Sequence, residues 1–249
     1  MDISTNYATV LKEVAAACAR VGRDPSEVRV VAVSKTVGVA EVAAAIAAGI
    51  RDFGENRTAL FQEKQAAFSQ VNWHFIGSIQ TNKVKDFVGK AALVHSVASE
   101  RALIAIARRA ELLAVTQPVL LEVNVSGEVS KDGIAPTELP DLLSIARGLS
   151  GIRVRGLMTM APQGEPEATR AAFKGLRLLR DKLATSDESL VCLPPAPDAA
   201  LTTSGSRGFQ PLVDSRVTLY ELSMGMSEDY SIAVEEGATI VRIGRSIWM

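Results

Sequence analysis

The chain has 249 residues, 47% of them hydrophobic, and a formal net charge of −1. That length accommodates one barrel or two small domains, and the apolar fraction is enough for a large core. A nearly neutral chain without basic runs attracts neither nucleic acid nor an acidic membrane surface, so neither is expected as a partner.

Two features of the sequence favour a cytoplasmic protein. The first twenty residues carry charges and no long apolar run, and no stretch approaches the roughly 20 apolar residues of a membrane helix. Cys18 and Cys192, the only cysteines, do not make a disulfide scaffold, so a reducing compartment is the simpler interpretation. Neither has a nearby Cys or His that would indicate zinc, and no metal site is expected.

Short apolar strands alternate with helices along the chain. An amphipathic helix is predicted over 5–21, then a β-branched strand at Val28–Ser34 and a helix closed by Gly49. Seven further strands are predicted at Asp52–Phe53, Trp73–Ile76, Leu93–His95, Val119–Val123, Val154–Leu157, Leu219–Leu222 and Thr239–Ile243. The helices between them are predicted near 56–68, 81–88, 99–113, 137–148, 166–184 and 228–236.

Eight strands alternating with helices predict one α/β domain, residues 1–249, with parallel pairing. In a chain of 249 residues this count favours a closed (β/α)8 TIM barrel over an open doubly wound sheet. The first helix is an extra element, and the usual helix after strand eight is expected to be missing or replaced by it. The segment 185–215 is rich in Pro, Ser and Thr and is predicted to form a long loop.

A lysine directly follows the first strand, VVAVS. In a barrel, functional groups collect at the carboxyl ends of the strands, so Lys35 is expected at the mouth, buried by a hydrophobic wall. Burial disfavours the ammonium form and would leave a free amine, which forms a Schiff base with an aldehyde. A surface lysine just past a strand is the alternative.

The loops after strands seven and eight favour a bound phosphate, as in many barrels. Hydroxyls are available from Ser223 and Ser227, and backbone N–H groups can approach an anion at Gly225 and Gly244. Two ordinary Ser/Gly turns are the alternative. An amine and a phosphate site at one mouth together fit a phosphorylated aldehyde, and pyridoxal 5′-phosphate is the common cofactor of that kind.

Other residues near the predicted mouth have weaker signals. Asn56 follows strand two and could bond into the mouth or cap a helix. Met158 and Met160 could line a wall for a planar ring or fill the core. His74 and His95 are interpreted as core histidines without a catalytic or metal-binding role.

Eight short segments occur in a specific order. They are VAVSKT around Lys35, FGEN at 53–56, WHFIGSIQTNK at 73–83, HSV at 95–97, EVNVSGEVSKDG at 122–133, GLMTM at 156–160, LSMGMSEDY at 222–230 and VRIG at 241–244. Through them the chain resembles the pyridoxal-phosphate homeostasis proteins of the YggS/PROSC type over nearly its whole length. The resemblance implies a barrel of the alanine-racemase N-terminal type without a second domain, carrying pyridoxal 5′-phosphate on Lys35.

The resemblance also implies the surroundings of the cofactor. Arg242 would face the pyridine nitrogen and, as a permanent cation, keep it unprotonated. Asn56 would lie near the ring, with Met158 or Met160 near its face. The implied phosphate contacts are Ser223, Gly225, Met226, Ser227, Gly244 and Arg245, of which Arg245 replaces the small residue of many members.

The resemblance implies a carrier that buffers pyridoxal 5′-phosphate and can deliver it to apo-enzymes, as a monomer or weak dimer without a defined catalytic reaction. An amino-acid racemase on the same barrel is an alternative, although it needs a second base opposite the lysine. A cofactor-free Schiff-base aldolase is another, although strand six contains no lysine. A non-catalytic sensor that binds a protein partner is the last.

Overall fold

The computed structural model describes residues 2–128, 131–162, 164–186 and 217–249. Apart from residues 185 and 186, which end a helix, the predicted loop over 185–215 lies outside these ranges, and so does Cys192. No helix within the described ranges combines the length and the apolar character that crossing a membrane requires.

The strands close into a parallel barrel. They are β1 (Arg29–Val33), β2 (Asp52–Glu55), β3 (Asn72–Phe75), β4 (Leu93–Val97), β5 (Gln117–Glu122), β6 (Ile152–Met158), β7 (Val217–Ser223) and β8 (Ile240–Ile243). Each strand pairs with the next, and β8 returns to β1 with Val31 opposite Arg242. The prediction of a closed barrel rather than an open sheet is confirmed.

Helices surround the barrel. They are α1 (Ile3–Arg20), α2 (Val39–Ala47), α3 (Thr58–Ala67), α4 (Glu100–Leu112), α5 (Leu139–Arg147), α6 (Pro166–Ser186), α7 (Tyr230–Glu235) and α8 (Arg245–Trp248). Short 3-10 helices lie at Pro25–Glu27 and Thr81–Asp86.

Two predictions about helices are wrong. The segment 81–88 forms a 3-10 helix and not an α-helix; Val84 is the one buried residue of that helix, so there is no apolar stripe to dock a longer helix. The helix after the last strand is short but present. Its Trp248 donates the indole N–H to the Val33 carbonyl at 2.7 Å, and α1 bonds to it from Asn6 to the Ile247 carbonyl.

The core has two layers, separated by the wall of strands. A large outer cluster packs between strands and helices and includes Phe75 stacked on Phe87 at 4.2 Å. A smaller inner cluster comes from five strands and consists of Val31, Leu93, Leu120, Met158 and Ile240. Because side chains alternate along a strand, residues two positions from the inner cluster also face the barrel axis. That alternation brings Arg242, two positions after Ile240, to the axis near the mouth.

Candidate functional site

A cavity of about 450 Å³ opens at the carboxyl ends of the strands. Eight of the ten residues that the sequence assigns to a cofactor line it, and they are Lys35, Asn56, Met160, Met226, Ser227, Arg242, Gly244 and Arg245. Met158 and Val33 also contribute to its wall. Ser223 and Gly225 do not line it, and their places in the structure are described below.

Lys35 lies in the turn after β1, where it lines the cavity with an exposed side chain. The prediction that a hydrophobic wall buries this lysine is wrong. The last residue of β1 is Val33, so Lys35 lies two positions beyond the wall of strands. Its amine is therefore accessible both to the cavity and to solvent.

A buried ion pair fixes the backbone on both sides of this site. Lys64 of α3, 1% exposed, lies 2.7 Å from a carboxylate oxygen of Glu55, which is fully buried. The same ammonium donates to the carbonyl of Ser34 at 2.7 Å, and the other oxygen of Glu55 accepts the N–H of Asn56 at 2.8 Å. One cluster therefore holds the residue before Lys35 and the residue after Glu55.

Arg242 projects from β8 into the cavity floor and is 4% exposed. It donates to the Ser223 hydroxyl at 2.7 Å and to the Thr159 carbonyl at 3.1 Å. Burial lowers the pKa of Arg242 to about 10, although the charges of Glu122 and Asp229 act in the opposite direction. At neutral pH the side chain is still a cation.

A buried carboxyl group and a half-buried one accompany this cation. Burial, followed by the charge of Asp132, raises the pKa of Glu122 to about 7, although Arg242 opposes the shift. Burial also raises the pKa of Asp229, which lines the cavity. The carboxyl end of the barrel therefore contains one acid, Glu122, that titrates near neutral pH.

The segments after β7 and β8 bring backbone N–H groups together beside the cavity. The Ser227 hydroxyl accepts N–H groups from Gly244 at 3.2 Å and Ser246 at 3.4 Å. The N–H of Met226 points to the carboxylate of Asp229 at 2.6 Å. Donors of this kind, all directed at oxygen atoms, suit an anion such as phosphate.

Gly225 and Ser223 support the site from behind. Gly225 has a φ of +94°, and a Cβ there would lie 2.5 Å from the Cβ of Ala233, so this turn requires glycine. Ser223 is fully buried, and its hydroxyl contacts Arg242 and His95. Its oxygen already has two partners, and through one of them it supports the guanidinium of Arg242.

Arg245, the first residue of α8, is exposed to solvent. Arg245 forms an ion pair with Glu228 at 2.6 Å, and both side chains are 63% exposed. Such a pair is screened by water and contributes little to stability. The guanidinium can therefore reorient at little cost.

Comparison with known proteins agrees with this architecture. The model of the alanine racemase N-terminal domain family matches residues 10–203. The pyridoxal phosphate homeostasis protein of Aquifex aeolicus is 38% identical, over 98% of this chain and 96% of its own length. The protein of the same name from Pseudomonas aeruginosa is 39% identical, over 99% of this chain and 94% of its own.

Solved structures of known proteins share this fold. PipY of Synechococcus elongatus, determined with PLP bound, is 29% identical with a TM-score of 0.78, and each chain covers 100% of the other. Alanine racemase of Clostridium difficile, 15% identical with a TM-score of 0.70, shares the fold over 99% of this chain and 56% of its own. The fold and the mouth thus define a protein of the alanine-racemase barrel class. Within that class, the chain belongs to the pyridoxal phosphate homeostasis protein family.

Proposed function

We propose that this chain binds pyridoxal 5′-phosphate as a Schiff base on Lys35 and buffers its supply in the cell. The observation that carries the proposal is the meeting of three groups in one cavity: the accessible amine of Lys35, the buried cation of Arg242, and the backbone donors around Ser227. A flat ring with an aldehyde, a ring nitrogen and a phosphate presents a complement to each of them.

The residues divide the recognition of this cofactor. Arg242 would face the ring nitrogen, and Asn56 and Met160 would border the ring. Met226, Ser227, Gly244 and Arg245 would hold the phosphate, whose oxygens would accept the N–H groups of Met226 and Gly244 that now contact side-chain oxygens of the protein. Ser223 and Gly225 would act indirectly, by supporting Arg242 and by allowing the turn. When bound, the group supplies an electrophilic aldehyde carbon for the lysine.

The lining of the cavity favours a carrier over a racemase. Racemisation needs a second base on the face opposite the lysine. Among the described residues that line the cavity there is no Tyr or His. An accessible lysine in an open mouth instead suits reversible loading and release. We therefore assign no defined catalytic reaction, and we propose a cytoplasmic carrier, monomeric or weakly dimeric, that delivers the cofactor to apo-enzymes.

The test is an absorbance spectrum of the purified protein, followed by borohydride reduction and peptide mass mapping. We expect a band near ~420 nm, and reduction that fixes the cofactor on the peptide containing Lys35. Lys35→Ala should lack both signals, whereas Lys90→Ala, at an exposed position outside the cavity, should keep them. A wild-type protein without a band, even after pyridoxal 5′-phosphate is added, would exclude this function.

A further inference from the structure

A chain of hydrogen bonds crosses the barrel interior below the cavity. Arg242 donates to the Ser223 hydroxyl at 2.7 Å, and that hydroxyl lies 2.8 Å from Nδ1 of His95. Nε2 of His95 lies 2.9 Å from Nδ1 of His74. Nε2 of His74 lies 3.1 Å from the carboxylate of Asp52, the first residue of β2. The chain therefore runs from the mouth of the barrel to the opposite end.

The chemistry of the two ends gives every bond a direction. A guanidinium can only donate, so the Ser223 oxygen accepts from Arg242. The Ser223 hydroxyl then donates its single hydrogen to its other partner, Nδ1 of His95. That nitrogen must therefore be unprotonated. His95 accordingly donates from Nε2 to His74, and His74 donates from Nε2 to the carboxylate of Asp52. Both rings are then neutral, with the hydrogen on Nε2.

The charges around the chain agree with this assignment. Burial, together with the charges of Arg242 and Arg29, holds the pKa of His95 well below its usual value, so this ring is neutral. Burial raises the pKa of Asp52, but the hydrogen bond from His74, the charge of Arg29 and a hydrogen bond from Asn72 outweigh it. The net effect lowers the pKa of Asp52, which remains an acceptor.

The reverse arrangement satisfies fewer groups. A cationic His74 would donate from Nδ1 to His95, which would then donate from its own Nδ1 to Ser223. The Ser223 oxygen would receive two donors, and its hydrogen would have no acceptor among the contacts of the described residues. A buried unsatisfied hydroxyl is costly, so the neutral arrangement is favoured.

We propose that Asp52, His74, His95 and Ser223 are positioning residues that hold Arg242 in the orientation it needs toward a bound ring. This inference rests on the proposed binding of pyridoxal 5′-phosphate. No carboxylate forms an ion pair with Arg242 among the described residues, and the hydrogen bonds through Ser223, His95 and His74 connect its guanidinium to the carboxylate of Asp52. Aligned bonds of this kind polarise one another, which strengthens each of them.

The bond directions can be tested without cofactor. The sequence contains two histidines, so the nitrogen NMR spectrum of untagged protein has two imidazole rings to assign. We expect both rings to be neutral, with hydrogen on Nε2. Asp52→Ala removes the carboxylate that accepts the last hydrogen bond of the series, and both rings should show a mixture of the two neutral forms. Asp52→Asn keeps an oxygen acceptor and should restore the wild-type pattern.

The coupling to Arg242 can be tested in the loaded protein. Ser223→Ala removes one acceptor of the guanidinium and leaves the Thr159 carbonyl, and we expect about tenfold weaker binding of pyridoxal 5′-phosphate and a shifted absorption maximum. Asp52→Ala should shift that maximum in the same direction, and Asp52→Asn should return it toward wild type. Asp24→Ala, at an exposed aspartate that directly precedes the first 3-10 helix, should leave it unchanged. Loss of stability alone would not move the maximum of the cofactor that is still bound.

The outcomes separate this inference from the proposed function. A hydrogen on Nδ1 of either ring in wild-type protein would contradict the assigned directions of the hydrogen bonds, whether or not the cofactor binds. A bound cofactor whose spectrum is the same in Asp52→Ala and Asp24→Ala would overturn the coupling. A wild-type protein that binds no cofactor would refute the proposed function, and with it the role of the chain in cofactor binding. If Asp52→Ala does not fold, the wild-type spectrum and Ser223→Ala decide.

Discussion

At the scale of single residues, the mouth of the barrel is governed by a few buried charges. Arg242 remains a cation in spite of its burial, because its lowered pKa of about 10 still lies above neutral pH and the charges of Glu122 and Asp229 favour the ion. The charge of Glu122, which is 5% exposed, acts on Arg242. Because the pKa of this carboxyl is about 7, it is about half protonated at neutral pH. The sequence gives no sign of this, since Glu122 looks like any polar residue at the end of a strand.

Glu122 makes the stability of the protein depend on pH. The pKa of its carboxyl is raised from 4.5 to about 7, so the folded state binds the proton more tightly than the unfolded state. Below pH 4.5 the carboxyl is protonated in both states and does not change the free energy of unfolding. As the pH rises from 4.5 toward 7, the unfolded state releases the proton first, and the ionised carboxyl destabilises the fold increasingly. Between about pH 5 and pH 8, wild type should lose about 2 kcal/mol more stability than Glu122→Gln.

Urea unfolding at the two pH values measures this difference. Glu63→Gln, at an exposed position of α3, is the matched control and should follow wild type. Equal pH dependence in wild type and Glu122→Gln would show that this carboxyl titrates normally.

At the scale of elements, α3 is tied to β1 and β2 by the ion pair of Lys64 with Glu55. Both side chains are buried, so the loss of either partner leaves a charge without compensation. The exposed pair of Arg23 with Glu27, 3.1 Å apart, is different because water screens it. The buried pair therefore determines how firmly the strand ends beneath Lys35 and Asn56 are held.

Removing one partner of the buried pair should be more harmful than removing both. We expect Lys64→Met to lower the free energy of unfolding by about 3–5 kcal/mol. The double variant Glu55→Gln/Lys64→Met should recover part of that loss, since the amide oxygen still accepts the neighbouring backbone N–H groups. Glu27→Gln should cost less than about 1 kcal/mol. Denaturant unfolding of the four proteins tests this order, and a double variant less stable than Lys64→Met would contradict it.

The elements were more predictable than their contacts. Apolar strands alternating with helices indicate the barrel because each strand carries its own local sequence pattern. Residues that directly follow a strand lie at the mouth, because the carboxyl ends of all the strands meet there. The burial of Lys64 is not a local property: in sequence it is an ordinary lysine three positions after Phe61 on a helix. The exposure of Lys35 depends on the direction of one turn. The pairing of His74 with His95 depends on the register between strands, which local patterns do not specify.

At the scale of the whole molecule, one open mouth would have to serve both loading and release. The cavity is lined by an exposed lysine and by exposed residues such as Met160, so a bound cofactor would remain within reach of a second protein. Delivery to an apo-enzyme would then require only that the recipient approach this face of the barrel.

Delivery can be distinguished from simple dissociation. We expect the loaded protein to reactivate a pyridoxal-phosphate-dependent apo-enzyme in the presence of a scavenger of free aldehyde, faster than it releases cofactor into solution. Loaded protein reduced with borohydride is the control and should transfer nothing, because its bond to the cofactor is no longer reversible. Reactivation that is no faster than release, and that the scavenger abolishes, would mean that the protein is a buffer without direct delivery.

The attachment of α8 to β1 also gives the protein an optical reporter. The chain has two tryptophans, and Trp73 is packed against Phe53 and Phe61 in the outer layer of the core. Trp248 instead bonds to the carbonyl of Val33, a residue of the cavity wall. Emission from Trp73 should therefore follow unfolding, while emission from Trp248 should be quenched as the cavity fills. A Trp73→Phe protein would allow occupancy to be followed continuously, without a label.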